Sequence, residues 1–262
     1  MRYRWLAIFP LLYAVAFALV AWALAGSGGL QPFVRGQLLL VRVLAIAGCF
    51  AAVSAFASGD HLRRAWFWLG VATVLVLVRD LIRLYAASGQ VPALDWVVSG
   101  LGVLSNVALL AGVWLLARAW KVAAISLPGG GTGMGLVVLM AAVLALAVAG
   151  PGALVHLKSV AAGDWSALIL LVSAVVDILS ICLLAPLLLT TISLRGGLFA
   201  WPWGLVTVGM LSWLLYDAAA AFGPTLASGG FPLPDVFRGL AENYLAVAGL
   251  AQSLAVRQVR KA

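Results

Sequence analysis

Eight apolar stretches, each long enough to cross a bilayer, recur along this chain. They cover residues 5–25, 35–57, 65–87, 95–117, 134–154, 165–194, 199–222 and 235–256. A hydrocarbon core about 30 Å thick needs about 20 apolar residues at the 1.5 Å rise of a helix. Turn chemistry punctuates them at Gly26-Ser27-Gly28-Gly29, Ser58-Gly59-Asp60, Ser88-Gly89-Gln90-Val91-Pro92, Gly150-Pro151-Gly152 and Ala227-Ser228-Gly229-Gly230. The stretches are rich in alanine and leucine and lack the period-two alternation of a barrel. Backbone polar groups in lipid must be satisfied within the segment, which leaves helices. The sequence therefore predicts an all-α, polytopic transmembrane helix bundle of about eight helices.

Composition narrows the function classes. Of the 262 residues, 65% are hydrophobic and 9% charged. Soluble domains are nearer 45–50% and about 25%. This excludes an ordinary water-soluble enzyme and a disordered chain. The net charge of +8 is not gathered on a polar face, so it does not point to nucleic acid. Cys49 and Cys182 lie inside apolar runs and read as buried thiols rather than a disulfide or a metal site. His61 and His156 fall in loops on opposite sides of the membrane, too far apart to share a metal or haem. No cofactor is expected.

Lysine and arginine set the orientation. With the N-terminus inside, ten basic residues (Arg2, Arg4, Arg63, Arg64, Arg118, Lys121, Arg195, Arg257, Arg260 and Lys261) face the cytoplasm, against six toward the outside (Arg35, Arg42, Arg79, Arg83, Lys158 and Arg238). Both termini are expected to be cytoplasmic. Tryptophans 5, 22, 66, 68, 96, 120, 165, 201 and 203 fall near helix ends, as an interfacial belt requires, whereas Trp114 and Trp213 sit deeper and are expected between helices. The first run also resembles a signal peptide, with Arg2, Arg4 and Ala23-Leu24-Ala25, but it is long for one. It is read as a membrane helix.

Polar residues suggest an internal duplication. An offset of 137 places Asp80 on Asp217, Asn106 on Asn243 and Gly112 on Gly249. Trp68-Leu69-Gly70 lies against Trp203-Gly204-Leu205, and Pro92–Asp95 against Pro232–Asp235. Two tandem four-helix repeats of parallel type are expected, at 1–121 and 134–262. Residues 122–133, with Pro128-Gly129-Gly130-Gly131, would be a linker; no Gly-Lys-Ser/Thr follows to make a phosphate loop.

Ionisable groups at membrane depth are costly and mark interior or functional positions. Arg42, Asp80, Arg83, Asn106, Asp177, Asp217, Glu242 and Asn243 are the candidates for binding a ligand or ion. Asp80 and Arg83 are three apart on one helix face, and Arg238 and Glu242 four apart. Arg42 and Asp177 occupy equivalent helices and are expected to pair across the pseudo-axis. Asn106 and Asn243 are expected to bond to Asp80 and Asp217. The same residues could equally serve to lock helices together.

Several of these residues belong to a recognisable pattern. Asp60-His61-Leu62-Arg63-Arg64-Ala65-Trp66, then Arg79-Asp80-Leu81, then Pro92-Ala93-Leu94-Asp95, then Leu115-Leu116-Ala117-Arg118 resembles the multi-helix membrane sensor region at the N-terminus of some bacterial diguanylate cyclases and histidine kinases. The likeness covers residues 60–121 and, more faintly, 200–260, through Asp217, Pro232–Asp235 and Arg257. The 262 residues carry none of the output domains of those proteins. The resemblance implies a bacterial inner-membrane location and a sensing or partner-binding role. The leading expectation is thus a non-enzymatic membrane subunit. Its partners would be the lipid bilayer, a small polar ligand, and another membrane protein or a second copy. A transporter of a small polar solute or ion using Asp80 and Asp217 is the alternative. An intramembrane lipid-modifying enzyme is the third reading.

Overall fold

The computed structural model describes residues 4–87, 93–122, 130–164, 167–193, 200–226 and 231–260. Every regular element among them is helical. A 3-10 turn at Arg4–Ala7 leads into α1 (Phe9–Ala23). There follow α2 (Leu30–Ala55), α3 (His61–Ala87), α4 (Ala93–Ala117), the single turn α5 (Ala119–Val122), α6 (Gly130–Ala161), α7 (Ala167–Ser193), α8 (Ala200–Leu226) and α9 (Leu233–Val259). Eight of these are long, one for each apolar stretch. Pro10 and Pro234 sit in the first turns of α1 and α9, where the missing N–H costs no helical bond. Asp95 lies in the first turn of α4, against the positive end of the helix dipole.

Two local expectations change. Gly150-Pro151-Gly152 does not break the chain but lies inside α6. Proline is tolerated in membrane helices where neighbouring helices, side-chain hydroxyls, water or local 3-10 adjustment re-satisfy the backbone groups it frees. The expected linker at 122–133 is partly helical: Val122 closes α5 and α6 opens at Gly130, while 123–129 lie outside the described residues.

The spans at Trp5–Ala23, Leu30–Ala55, His61–Tyr85, Leu94–Ala117, Gly130–Ala161 and Ala167–Ser193 are long and apolar enough to cross a bilayer, and the protein is a membrane-embedded helix bundle. Among the described residues, α8 and α9 do not join this apolar set. For α9 the reason is burial. Residues 241–249 are all buried, including Glu242 and Asn243, and Gln252 is fully enclosed. A helix wrapped by other helices is released from the demand that lipid-facing side chains be apolar.

Six helices close into a ring. Helix α2 packs on α3, α3 on α4, α4 on α7, α7 on α8, α8 on α9, and α9 on α2. The register follows from side-chain neighbours. Gly70 meets Cys49 and Phe50 while Arg42 meets Asp80, so α2 and α3 are antiparallel; Gly112 meets Leu69 and Gly102 meets Arg79, so α3 and α4 are too. Trp203 Nε1 donates to Gln252 Oε1 at 3.2 Å, while Gly209 meets Ala241 and Tyr244, so α8 and α9 are antiparallel. By contrast α2 and α9 run parallel: Arg42 reaches Glu242, and Gly48 meets Ala246. Helix α1 leans on α9, and α6 on α7 and α8, outside the ring.

The α2–α9 crossing is the tightest in the bundle. A Cβ at Gly48 would land on the backbone of Ala246, and one at Gly249 on the backbone of Gly48. Ala45, Cys49 and Ala52 continue this fully buried small-residue seam. Gly112, aligned with Gly249 by the repeat, has a different neighbour: it accommodates Leu69 of α3.

Tryptophan divides as the packing dictates. Trp5, Trp22 and Trp96 are exposed, in keeping with a belt, but Trp66 and Trp203 are buried in the core. Trp114, expected between helices, is exposed, with the Arg118 guanidinium 4.6 Å from its ring centroid.

Substituting Gly249 by Val therefore forces α2 and α9 apart and should lower stability by about 1–3 kcal/mol or more. Gly36→Ala, which meets open space on α2, should leave it unchanged. Unfolding midpoints of the purified variants in detergent check both.

Candidate ligand-binding cavity

The site starts from one buried cation. Arg42 lies twelve residues into α2, about 18 Å along the helix, and is fully buried. A guanidinium cannot shed its proton there, so counter-charges must come to it. Two do. Its Nη1 donates to Asp80 Oδ2 of α3, and its Nε donates to Glu242 Oε1 of α9 at 3.1 Å. Asp80 also accepts from Arg79 Nε at 3.0 Å and from Arg238 Nη2 at 3.4 Å, and Arg238 Nε lies 3.7 Å from Glu242 Oε1. Five charged groups from three helices thus form one network, three positive and two negative. Arg42 Nη2, Arg238 Nε and Glu242 Oε2 remain without hydrogen-bond partners among the described residues.

This network forms one wall of a cavity of about 160 Å³ inside the ring. From it, Arg79, Arg238 and Glu242 face the cavity. The opposite wall holds a second polar group. Asp177 on α7 and Asp217 on α8 stand together in its lining. Asn106, Ser105 and Thr73 add polar lining, and Trp213 and Tyr216 supply aromatic surface. The two rings meet edge to face at 5.5 Å, and the Arg238 guanidinium lies 6.0 Å from the Tyr216 ring centroid. The Thr73 and Ser105 hydroxyls donate to their own helix carbonyls, Leu69 at 2.9 Å and Gly102 at 2.8 Å. They remain able to accept.

Six of the eight candidate residues from the sequence meet here, in new pairings. Arg42 pairs with Asp80 and Glu242 rather than Asp177, because α2 touches α9 and α3 whereas Asp177 stands on α7, paired with α8. Asp80 engages Arg42, Arg79 and Arg238; Arg83 points to the outer surface and is exposed. Asn106 lines the cavity but shares no bond with Asp80. Asn243 is fully buried and donates from Nδ2 to Gly239 O of its own helix at 2.9 Å, not to Asp217. Sequence reasoning left Arg79 and Arg238 out of the binding set. Arg238 was reachable through its four-residue spacing from Glu242, and Arg79 through the shared face Ala72, Val76, Arg79. Trp213 and Tyr216 gave no such signal.

Three comparisons, with protein-family models, with curated proteins and with solved structures, give no match for this chain.

Asp80→Asn removes the carboxylate shared by three guanidinium groups. It should cost about 3–5 kcal/mol, the usual result of stripping one partner from a buried ion pair. Denaturant titration of the detergent-solubilised variant against the parent measures this.

Proposed function

We propose that this chain is a bacterial inner-membrane protein, with both termini cytoplasmic, that binds a small polar solute inside its six-helix ring. It acts as a ligand-sensing or partner-docking membrane subunit without enzymatic chemistry. The observation that carries the reading is the cavity's two-signed wall. Arg79 and Arg238, from α3 and α9, and Asp177 and Asp217, from α7 and α8, all line it. Such a lining suits a solute with an anionic group at one end and a cationic or hydrogen-donating group at the other. The volume is close to that of a cavity able to hold benzene, about 150 Å³, so the solute is of small amino-acid size.

The packing order supports a duplicated architecture. The triplets α2–α3–α4 and α7–α8–α9 meet one another in the same cyclic sequence, which two tandem repeats would produce. Helices α1 and α6 depart from that symmetry. The likeness of residues 60–121 to bacterial sensor regions supports the sensing half of the reading. Its Arg79-Asp80 element lies in the ion network, and its Asp95 in the first turn of α4.

The second reading is transport. It is favoured by one observation, the two carboxyls of Asp177 and Asp217 side by side in the cavity lining, a place from which protons can be exchanged with a bound solute. A panel of small zwitterions titrated against the purified protein by calorimetry separates the possibilities. Binding should saturate at one site and weaken at least about tenfold, 1.4 kcal/mol, in Asp217→Asn. Absence of saturable binding across the panel contradicts the proposal. The same ligand in proteoliposomes should show occupancy without flux; solute uptake driven by a pH gradient would select transport instead.

A further inference from the structure

A second recess lies on the outer side of the ion network, between α2, α3 and α9, with a volume of about 240 Å³. Its charged lining is lopsided: Arg35, Arg42, Arg83 and Arg238 against Asp80 alone. Asp80 is already shared by three guanidinium groups. Leucines supply the rest of the wall, so the repulsion between the four cations is poorly screened. Two of the four carry an unmet demand, Arg238 at Nε and Arg42 at Nη2. Arg42 is fully buried, and its Nη2 has no hydrogen-bond partner among the described residues. Arg35 and Arg83 are exposed at the rim. They stand five residues after the start of α2 and four before the end of α3, about 6–8 Å from those helix ends. That is the depth of the lipid headgroups.

We propose that this recess is a binding site for a phosphate-class oxyanion, separate from the solute cavity on the other side of the network. Guanidinium forks match phosphate oxygens in pairs. Four cations approaching from three helices exceed what the two oxygens of another carboxylate could accept. A phosphate group presents more acceptors and fits the excess of positive charge. The phosphate of an anionic lipid reaches the site from the bilayer, and a free phosphate reaches it from the aqueous side. Bound there, it would supply Arg42 with its missing acceptor and fasten α2, α3 and α9 at their shared end. The inference does not depend on what the central cavity holds.

The test uses the full chain, purified and stripped of lipid in detergent. One arm titrates inorganic phosphate; the other adds phosphatidylglycerol, with phosphatidylcholine as the control. At tenfold over its dissociation constant, a bound anion should raise the unfolding midpoint by about 3–6 °C. The double variant Arg35→Gln/Arg83→Gln touches neither the ion network nor the central cavity, so its unliganded midpoint should stay near the parent's while the shift is lost. Arg83→Gln alone gives the same comparison with a smaller perturbation. A shift from phosphatidylglycerol alone assigns a lipid headgroup, and a shift from inorganic phosphate assigns a soluble anion. No shift in either arm, or one that persists undiminished in both variants, overturns the site.

Discussion

The charge of Arg42 is the constraint around which this bundle is organised. A guanidinium held in the interior of a membrane protein stays ionised, and its cost falls only when acceptors are built around it. Here they come from positions 80 and 242, on helices separated by most of the chain. Satisfying Arg42 therefore requires α2, α3 and α9 to meet at one level. The glycine seam between α2 and α9 permits that approach, since a side chain at Gly48 or Gly249 would collide with the opposite backbone. Electrostatic need and steric permission act on the same pair of helices.

Closing the ring has a chemical consequence. Once α9 is enclosed by α2, α8 and α1, it can carry Glu242, Asn243 and Gln252 without exposing them to lipid. Gln252 is used in the core, as acceptor for the Trp203 indole. Glu242 faces inward, and with Arg79, Arg238, Asp177 and Asp217 it makes the interior of the ring polar. The ion network thus stands between two recesses. The inner one carries both signs; the outer one is dominated by arginine. A single set of buried charges shapes both.

Much of this architecture was legible from residue order alone. Eight apolar stretches gave eight long helices because their length exceeds any strand and their breaks carry turn residues. The ionisable residues at membrane depth were readable as well, and Asp80, Glu242, Asp177 and Asp217 do lie in the ion network or line the cavity. The partners were not legible. Which helix touches which depends on tertiary packing, and the alignment that paired Arg42 with Asp177 assumed that contacts follow the repeat. They follow adjacency in the ring: Arg42 faces α3 and α9, and Asp177 faces α8. Trp66 shows the same limit. Its place near a helix start suggested an interfacial ring, yet it is fully buried in the core. Helix-end position does not reveal which face of the helix is covered.

The link between Arg42 and Glu242, which joins the front and back of the chain, is best measured by a double-mutant cycle. Stability would be determined for the parent, Arg42→Met, Glu242→Met and the combined variant in the same detergent. If the two side chains meet as described, the single losses should not add. The combined variant should be more stable than their sum implies, by a coupling of about 1–3 kcal/mol, because it strands neither charge. Simple additivity of the two losses, within about 0.5 kcal/mol, would mean that α2 and α9 do not bring these charges together, and the account of the ring would fail with it.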